Sequence, residues 1–326
     1  MASRLSLTIE RGYVALPPDG RIAVFGPRAD ADLSTLPKDR VTVLTSFKPD
    51  HDHFSQAGYH VDTVDQGPFS SSIVCLPRSK DYAKLMIAQA AQRTDGHIIV
   101  DGQKTDGIDS LIKECRKRTD VGAAFAKAHG KVFSLVKSDA ILDWLALDAP
   151  LDVEGFQTQV GIFSADRIDK GSRCLVEALP KLGGAVADFG AGWGYLSAQM
   201  LKQDTVGTLH MIEADKRALN CARHNITDPR AAFHWSDVTT FLADDPFDTI
   251  ISNPPFHTTR AADPGLGQAF LGAAARNLKP RGTLWIVANR HLPYEATLKD
   301  IFHDAEEVAG NTAFKVLRAH KPRRGR

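Results

Sequence analysis

The chain has 326 residues, of which 43% are hydrophobic and 24% are charged, and its formal net charge is +1. This composition is ordinary for a folded protein and excludes long disorder, while the length favours two domains that each bury a core. A charge near zero gives no strong overall field, so contact with a nucleic acid would require a local basic patch.

Signals of export, membrane insertion and metal binding are missing from the sequence. Residues 1–11 alternate polar and apolar side chains and no run approaches the length of a membrane span, so we expect a cytoplasmic protein without membrane contact. The four cysteines show no CxxC spacing and predict buried thiols rather than disulfides or a zinc site. His51 and His53 lack a third ligand at suitable spacing, and we expect no metal.

The first half of the chain alternates short strands with helices, which is typical of an α/β layer with a mainly parallel sheet. Apolar runs predict strands at residues 21–26, 41–46, 72–76 and 97–100. Helical spacing of apolar residues predicts helices at residues 79–93 and 109–118. The domain connection is predicted near residue 150, which gives domains 1–150 and 151–326.

The second half alternates more regularly. Its predicted strands are residues 185–189, 208–213, 231–235, 249–252, 283–288 and 314–318. Its predicted helices are residues 174–179, 195–202, 216–225 and 267–278. No short-period repeat occurs, but both halves share the same alternation, so we predict two copies of one fold, the first degenerate.

A glycine-rich turn follows the first strand of the second half. Residues 188–194 are Asp-Phe-Gly-Ala-Gly-Trp-Gly, at the strand end where open α/β sheets bind ligands. Glycines there allow a ligand to approach the backbone, although strand-to-helix turns also use glycine for structural reasons. The predicted cofactor site therefore includes Asp188, Gly190, Gly192 and Gly194.

Two acidic residues at the ends of the next strands extend this predicted cofactor site. Glu213 lies about 20 residues beyond the turn, where a carboxylate can accept hydrogen bonds from both hydroxyls of a ribose, and Asp215 is a competing candidate. Asp237 could accept a hydrogen bond from an adenine amino group or could instead cap the segment that follows. Together these features predict a nucleoside cofactor, either a nicotinamide dinucleotide or S-adenosylmethionine.

Residues 253–256, Asn-Pro-Pro-Phe, directly follow the strand 249–252. Two prolines remove backbone donors and stiffen the strand end, which leaves its carbonyls pointing outward. A planar amine could donate hydrogen bonds to the Asn253 side-chain oxygen and the Pro254 carbonyl while its ring stacks on Phe256, which favours methyl transfer over hydride transfer. The predicted catalytic residues are Asn253, Pro254, Pro255 and Phe256, and Asn253 is also predicted to contact the cofactor.

Five segments of the second half carry a family resemblance. They are residues 161–164 (Gly-Ile-Phe-Ser), 251–257 (Ile-Ser-Asn-Pro-Pro-Phe-His), 286–289 (Ile-Val-Ala-Asn), 292–294 (Leu-Pro-Tyr) and 314–318 (Phe-Lys-Val-Leu-Arg). The Asn-Pro-Pro-Phe element resembles that of class I S-adenosylmethionine-dependent N-methyltransferases, and the whole set resembles the RsmC family. This resemblance implies methylation of guanine N2 in small-subunit ribosomal RNA.

The resemblance also implies an architecture and a cofactor. It implies two tandem Rossmann-like methyltransferase domains, in which the C-terminal one is complete, with a mostly parallel sheet and an antiparallel last strand. The degenerate N-terminal domain would lack cofactor and act as a scaffold or an RNA-docking unit. S-adenosylmethionine would lie against the glycine turn, with Glu213 at its ribose and Asp237 beside its adenine.

The expected partner is ribosomal RNA or the small ribosomal subunit, bound by a monomer. Cationic candidates for RNA contact are Arg260, Arg290 and residues 113–118 and 321–326. Three other functions remain open at this point. They are guanine-N2 methylation of large-subunit ribosomal RNA, N-methylation of adenine or of a protein glutamine, and a non-enzymatic role in ribosome assembly through RNA binding.

Overall fold

The computed structural model describes residues 3–255 and 264–323. The chain divides into two units, Met1–Pro150 and Leu151–Arg326. Within the described ranges, none of the helices is long and apolar enough to cross a membrane.

The first unit is built from short strands and helices in alternation. Its helices are α1 (Arg4–Glu10), α2 (Lys48–Gln56), α3 (Lys80–Arg93), α4 (Ile108–Arg116) and α5 (Asp139–Leu142). Its strands are β1 (Ile22–Phe25), β2 (Val41–Leu44), β3 (His60–Asp62), β4 (Ser71–Cys75), β5 (Ile98–Gln103), β6 (Phe125–Lys127) and β7 (Gly130–Leu135).

The second unit begins with a small hairpin and continues with the same alternation. Its strands are β8 (Leu151–Val153), β9 (Phe156–Thr158), β10 (Gly184–Phe189), β11 (Val206–Glu213), β12 (Ala231–Trp235), β13 (Phe247–Ser252), β14 (Leu278–Asn289), β15 (Phe302–Gly310) and β16 (Phe314–Pro322). Its helices are α6 (Lys170–Ala178), α7 (Tyr195–Leu201), α8 (Lys216–Asn225), α9 (Pro264–Asn277) and α10 (Tyr294–Ile301).

The main sheets of the two units share one strand order. The first sheet runs β3-β2-β1-β4-β5-β7-β6 and the second runs β12-β11-β10-β13-β14-β16-β15. In both, the seventh strand of the sheet lies between the fifth and sixth and is antiparallel to both neighbours, while the other pairs are parallel. The predicted architecture, two tandem α/β domains with mostly parallel sheets and an antiparallel last strand, is confirmed.

The central strands β10 and β13 are buried on both faces. Ala187 and Ile250 pack into a cluster with residues of α9, whereas Val186 and Ile251 pack on the other face with residues of α7 and α8. Burial on both sides explains why these strands appear in the sequence as continuous apolar runs. The two strands end side by side, because Ser252 donates a hydrogen bond of 2.6 Å to the carbonyl of Phe189.

Some predicted element boundaries differ from the structure. The helix predicted at residues 174–179 begins at Lys170, because Asp169 caps it, and the helix predicted at 267–278 ends at Asn277. Strand β15 was not predicted, since as an edge strand it exposes most of its side chains and contains no apolar run. This strand is defined by its pairing with β16, which is present only in the folded sheet.

The first unit retains the turn at the end of its first strand. Gly26 donates its N–H to the carbonyl of Leu44 at 2.8 Å, as Gly190 does to Ile212 at 2.9 Å in the second unit. Both glycines have positive φ. A Cβ at Gly26 would lie 2.7 Å from Cε of Met86, so a core side chain occupies the space over this turn.

Two of the predicted functional positions have no chemical equivalent in the first unit. Strand register aligns Thr45 with Glu213 and Cys75 with Asn253. A hydroxyl and a thiol therefore stand where the second unit has a carboxylate and an amide. The first unit thus has the strand order of the second, whereas it does not keep the carboxylate and the amide at these two positions.

Candidate active site

The glycine turn follows the carboxyl end of β10 and contains three glycines with positive φ. The φ angles of Gly190, Gly192 and Gly194 are 77°, 56° and 93°. A Cβ at Gly192 would have no atom within 4 Å, whereas one at Gly194 would lie 2.9 Å from Ile226 and 3.3 Å from Ala222. Gly192 therefore presents bare backbone to open space, and Gly194 permits close packing against the end of α8.

Glu213 is the carboxylate that contacts this turn. Its side chain accepts hydrogen bonds from the N–H groups of Gly192 and Asp215, each at 2.8 Å. Burial raises the pKa of Glu213 to about 7, and these hydrogen bonds oppose the rise. The competing candidate, Asp215, caps α8 by accepting from the N–H of Arg217 at 2.9 Å.

Asp188 lies fully buried at the end of β10. One carboxylate oxygen accepts a 2.7 Å hydrogen bond from the Ser197 hydroxyl, while Oδ1 has no hydrogen-bond partner among the described residues. Burial raises the pKa of Asp188 to about 7, the Ser197 hydrogen bond lowers it, and the nearby charge of Glu213 raises it further. An unsatisfied buried carboxylate oxygen is costly, so this position suits a donor from a ligand.

Asp237 follows β12 and is engaged within its own loop. Its Oδ1 accepts hydrogen bonds from both the backbone N–H and the hydroxyl of Thr239, each at 2.8 Å. This is the capping arrangement that competes with an adenine contact. Within the described residues the Asp237 side chain forms no hydrogen bond with the glycine turn, so its adenine role stays a prediction.

Asn253 directly follows β13 and has a fixed amide. Its Nδ2 donates to Oδ1 of Asp169 at 2.8 Å and to the hydroxyl of Ser172 at 3.0 Å. Both N–H groups are thereby used, and Oδ1 accepts no hydrogen bond from the described part of the chain. Pro254 is buried and Pro255 is exposed. Phe256 lies outside the described residues.

One cleft beside the glycine turn is lined by several of the predicted site residues. Its lining comes from three parts of the second unit: Phe163, Ser164, Asp169, Ser172, Gly190, Ala191, Gly192, Trp193, Tyr195, Leu196 and Asn253. The structure therefore brings Gly190, Gly192 and Asn253 together. Glu213 reaches the same cleft through its hydrogen bond to Gly192.

Sequence reasoning assigned no role to Phe163. Its side chain is 58% exposed on the cleft wall, yet its backbone is fixed, because its carbonyl accepts a 3.2 Å hydrogen bond from Nε1 of Trp193. Positive φ angles at Gly161 and Ser164 shape the loop around it. An exposed aromatic ring in the cleft that Asn253 also lines suits stacking on a planar ligand. The Gly-Ile-Phe-Ser segment was the available signal.

The cationic residues predicted to contact RNA differ in their surroundings. Arg290 forms an ion pair with Glu307 at 2.9 Å and also donates to the carbonyl of Asn311 at 2.6 Å, so its charge is already partnered. Arg118 lies 5.2 Å from the ring centre of Trp144 in the first unit. Arg260 and residues 324–326 lie outside the described residues.

Comparisons with known proteins assign the family. The family model described as the methyltransferase small domain matches residues 154–318. A ribosomal RNA small subunit methyltransferase C from Shewanella halifaxensis (strain HAW-EB4) is 32% identical over 261 residues, which is 76% of each chain. The chain belongs to the ribosomal RNA small subunit methyltransferase C family. Another member, from Shewanella loihica (strain ATCC BAA-1088 / PV-4), is 29% identical over 312 residues, 89% of this chain and 91% of the relative.

The fold of this methyltransferase family extends over both units. A solved structure of a T. thermophilus 16S rRNA N2 methyltransferase (RsmC), in complex with AdoMet and guanosine, has a TM-score of 0.81 and 24% identity. The match covers 94% of this chain and 90% of that one. The predicted family and enzyme class are confirmed. Among the described residues, no group of three His, Cys, Asp or Glu side chains is arranged to hold a metal.

Proposed function

We propose that this chain transfers the methyl group of S-adenosylmethionine to the exocyclic N2 of a guanine in small-subunit ribosomal RNA. The observation that carries the proposal is the amide of Asn253. Because Asp169 and Ser172 use both of its N–H groups, its oxygen is left to accept a hydrogen bond from a substrate amine. The names of the relatives and the guanosine complex of the neighbour support this substrate.

The described residues fit the cofactor. Gly192 offers bare backbone, Glu213 lies next to it as an acceptor for ribose hydroxyls, and Oδ1 of Asp188 is a buried acceptor that lacks a donor. When bound, S-adenosylmethionine supplies an electrophilic methyl group on a sulfonium. We propose that these three residues hold it, with Gly190 and Gly194 shaping the turn and Asp237 beside the adenine.

Asn253 and Pro254 would hold and orient the guanine amine. The amine would donate one hydrogen bond to Oδ1 of Asn253 and another to the Pro254 carbonyl, so that its lone pair would face the methyl donor. As the N–C bond forms and the methyl–sulfur bond of the sulfonium breaks to release a neutral thioether, these two acceptors would stabilise the positive charge that develops on the nitrogen, and one amine proton would then leave to solvent. Such catalysis works by positioning and electrostatics and requires no strong general base.

Pro255, Phe256 and Phe163 would complete the acceptor site. Pro255 stiffens the segment after Asn253, and the rings of Phe256 and Phe163 would stack on the guanine. Every described residue that lines the cleft belongs to the second unit, which supports a monomer as the active form. The first unit, with Thr45 and Cys75 at the equivalent positions, would serve as scaffold or RNA-docking unit.

The test is methylation of small ribosomal subunits, and of their naked RNA, from a strain that lacks the enzyme. Tritiated S-adenosylmethionine should label N2-methylguanosine, identified by nucleoside mass spectrometry, and Asn253→Ala should abolish the label. Asn220→Ala, on the exposed face of α8, is the matched control and should keep wild-type activity. Label in adenosine, in large-subunit RNA or in protein would contradict the proposal, as would RNA binding without transfer.

A further inference from the structure

The segment before α6 is tied to Asn253 across more than 80 positions of sequence. Oδ1 of Asp169 accepts from Nδ2 of Asn253 at 2.8 Å and from the backbone N–H of Ser172 at 2.9 Å. The Ser172 hydroxyl is the second acceptor for the same amide nitrogen, at 3.0 Å. Asp169 therefore caps α6 and binds the catalytic amide with one oxygen.

The helix start is packed so that these two side chains hold their places. Gly171, between them, is buried, and a Cβ there would lie 3.0 Å from Oδ1 of Asp169 and 3.2 Å from the ring of Phe314. Any larger residue would displace the carboxylate or the ring. Ser172 is 7% exposed, so its hydroxyl has few alternatives to Asn253.

The contacts decide which way the Asn253 amide points. A carboxylate only accepts hydrogen bonds, so a flipped amide would set its oxygen against Oδ1 of Asp169 with no proton between them. The observed orientation places both N–H groups on α6 and frees the oxygen.

We propose that Asp169 and Ser172 are positioning residues that lock the Asn253 oxygen toward the guanine amine; this rests on the proposed function. Asp169 adds an electrostatic effect, because an amide whose N–H donates to a carboxylate carries more negative charge on its oxygen. That oxygen is then a better acceptor as the amine nitrogen becomes positive. In this proposal both residues act through Asn253.

Three substitutions separate positioning from helix capping. Asp169→Ser keeps a good N-cap but is too short to reach Asn253, so it should lower kcat roughly tenfold to a hundredfold. Asp169→Asn keeps an acceptor without the charge and should keep kcat within roughly fivefold of wild type. Ser172→Ala should cost roughly threefold, because Asp169 still holds the amide.

Two further readouts exclude a general loss of structure. Thermal unfolding and calorimetric binding of S-adenosylmethionine should be unchanged in Asp169→Ser, so the loss appears in kcat and not in folding or cofactor affinity. Ser79→Ala is the control for a lost cap, because Ser79 caps α3 in the first unit. It should lower the melting temperature and leave kcat unchanged.

The outcomes distinguish this inference from the proposed function. If the wild-type protein methylates guanine and Asp169→Ser has the same kcat, the positioning role is overturned and the proposed function stands. The role is also overturned if Asp169→Asn is as slow as Asp169→Ser. A wild-type protein that labels no guanine overturns the proposed function, and the inference with it.

Discussion

Alanine substitutions at Gly192 and Gly194 should affect different properties. The first should weaken cofactor binding, and the second should lower the stability of the fold. The two glycines are separated by one residue and both have positive φ, 56° and 93°. Their surroundings differ, because a Cβ at Gly192 meets no atom within 4 Å while one at Gly194 would lie 2.9 Å from Ile226. The first substitution therefore adds a methyl group on the proposed cofactor side, and the second adds one inside the packing against α8.

The magnitudes follow from this geometry. An alanine in the left-handed region costs about 1–2 kcal/mol, and forcing a methyl group into close packing adds about 1–3 kcal/mol. For a domain of this size each kcal/mol shifts the melting temperature by about 2–4 °C. Gly194→Ala should thus be clearly less stable than Gly192→Ala. Gly192→Ala should instead raise the Kd for S-adenosylmethionine roughly tenfold or more, which is about 1.4 kcal/mol.

Differential scanning fluorimetry and isothermal titration calorimetry measure the two effects separately. Folded Gly194→Ala protein should bind the cofactor nearly as tightly as wild type, and Gly192→Ala should not. Wild-type affinity in Gly192→Ala would refute the assignment of this open backbone to the cofactor. Equal melting temperatures for the two variants would refute the packing argument at Gly194.

Three further predictions concern titration and stacking. The pKa of Glu213 is raised to about 7, and ribose hydroxyls require its ionised form. The Kd for S-adenosylmethionine should therefore rise roughly tenfold from pH 8 to pH 6. Glu213→Gln should bind the cofactor weakly, with a Kd that does not change over this pH range. Native Asp188, with a pKa of about 7, keeps its proton where the unfolded chain has lost it, so the free energy of unfolding should fall as pH rises from about 4 to 7. Asp188→Asn should weaken that fall in denaturant titrations, and an unaltered slope would contradict the burial argument. Phe163→Ala should raise KM for RNA roughly fivefold or more with little change in melting temperature, since the ring is 58% exposed, and an unchanged KM would rule out stacking.

Much of the second unit could be predicted from local patterns. The central strands are fully buried and appear as apolar runs, and the glycine turn and the Asn-Pro-Pro segment each lie within a few residues of a strand end. Parallel strands place such ends at one edge of a sheet, which is why Gly190 and Asn253 were expected together. Structure then placed Glu213 against Gly192, a contact consistent with that prediction.

The partners of Asn253 could not be predicted in the same way. Asp169 and Ser172 lie 84 and 81 positions before it, and their contact depends on how α6 packs on the sheet. Phe163 carries no periodic signal, because its loop conformation depends on positive φ angles at its neighbours. The role of Asp237 could not be predicted for a different reason, because the same local pattern is typical of a capping residue and of a ligand contact.

The late position of β16 in the sequence affects how the enzyme is made on the ribosome. Among the described residues, β15 pairs only with β16, and the outer edge of β14 is covered only by β16, so these strand edges stay unpaired until β16 has been synthesised. The first unit has the same arrangement, with β6 waiting for β7. Nascent chains therefore pass twice through a stage with unpaired strand edges, where association between neighbouring nascent chains competes with folding.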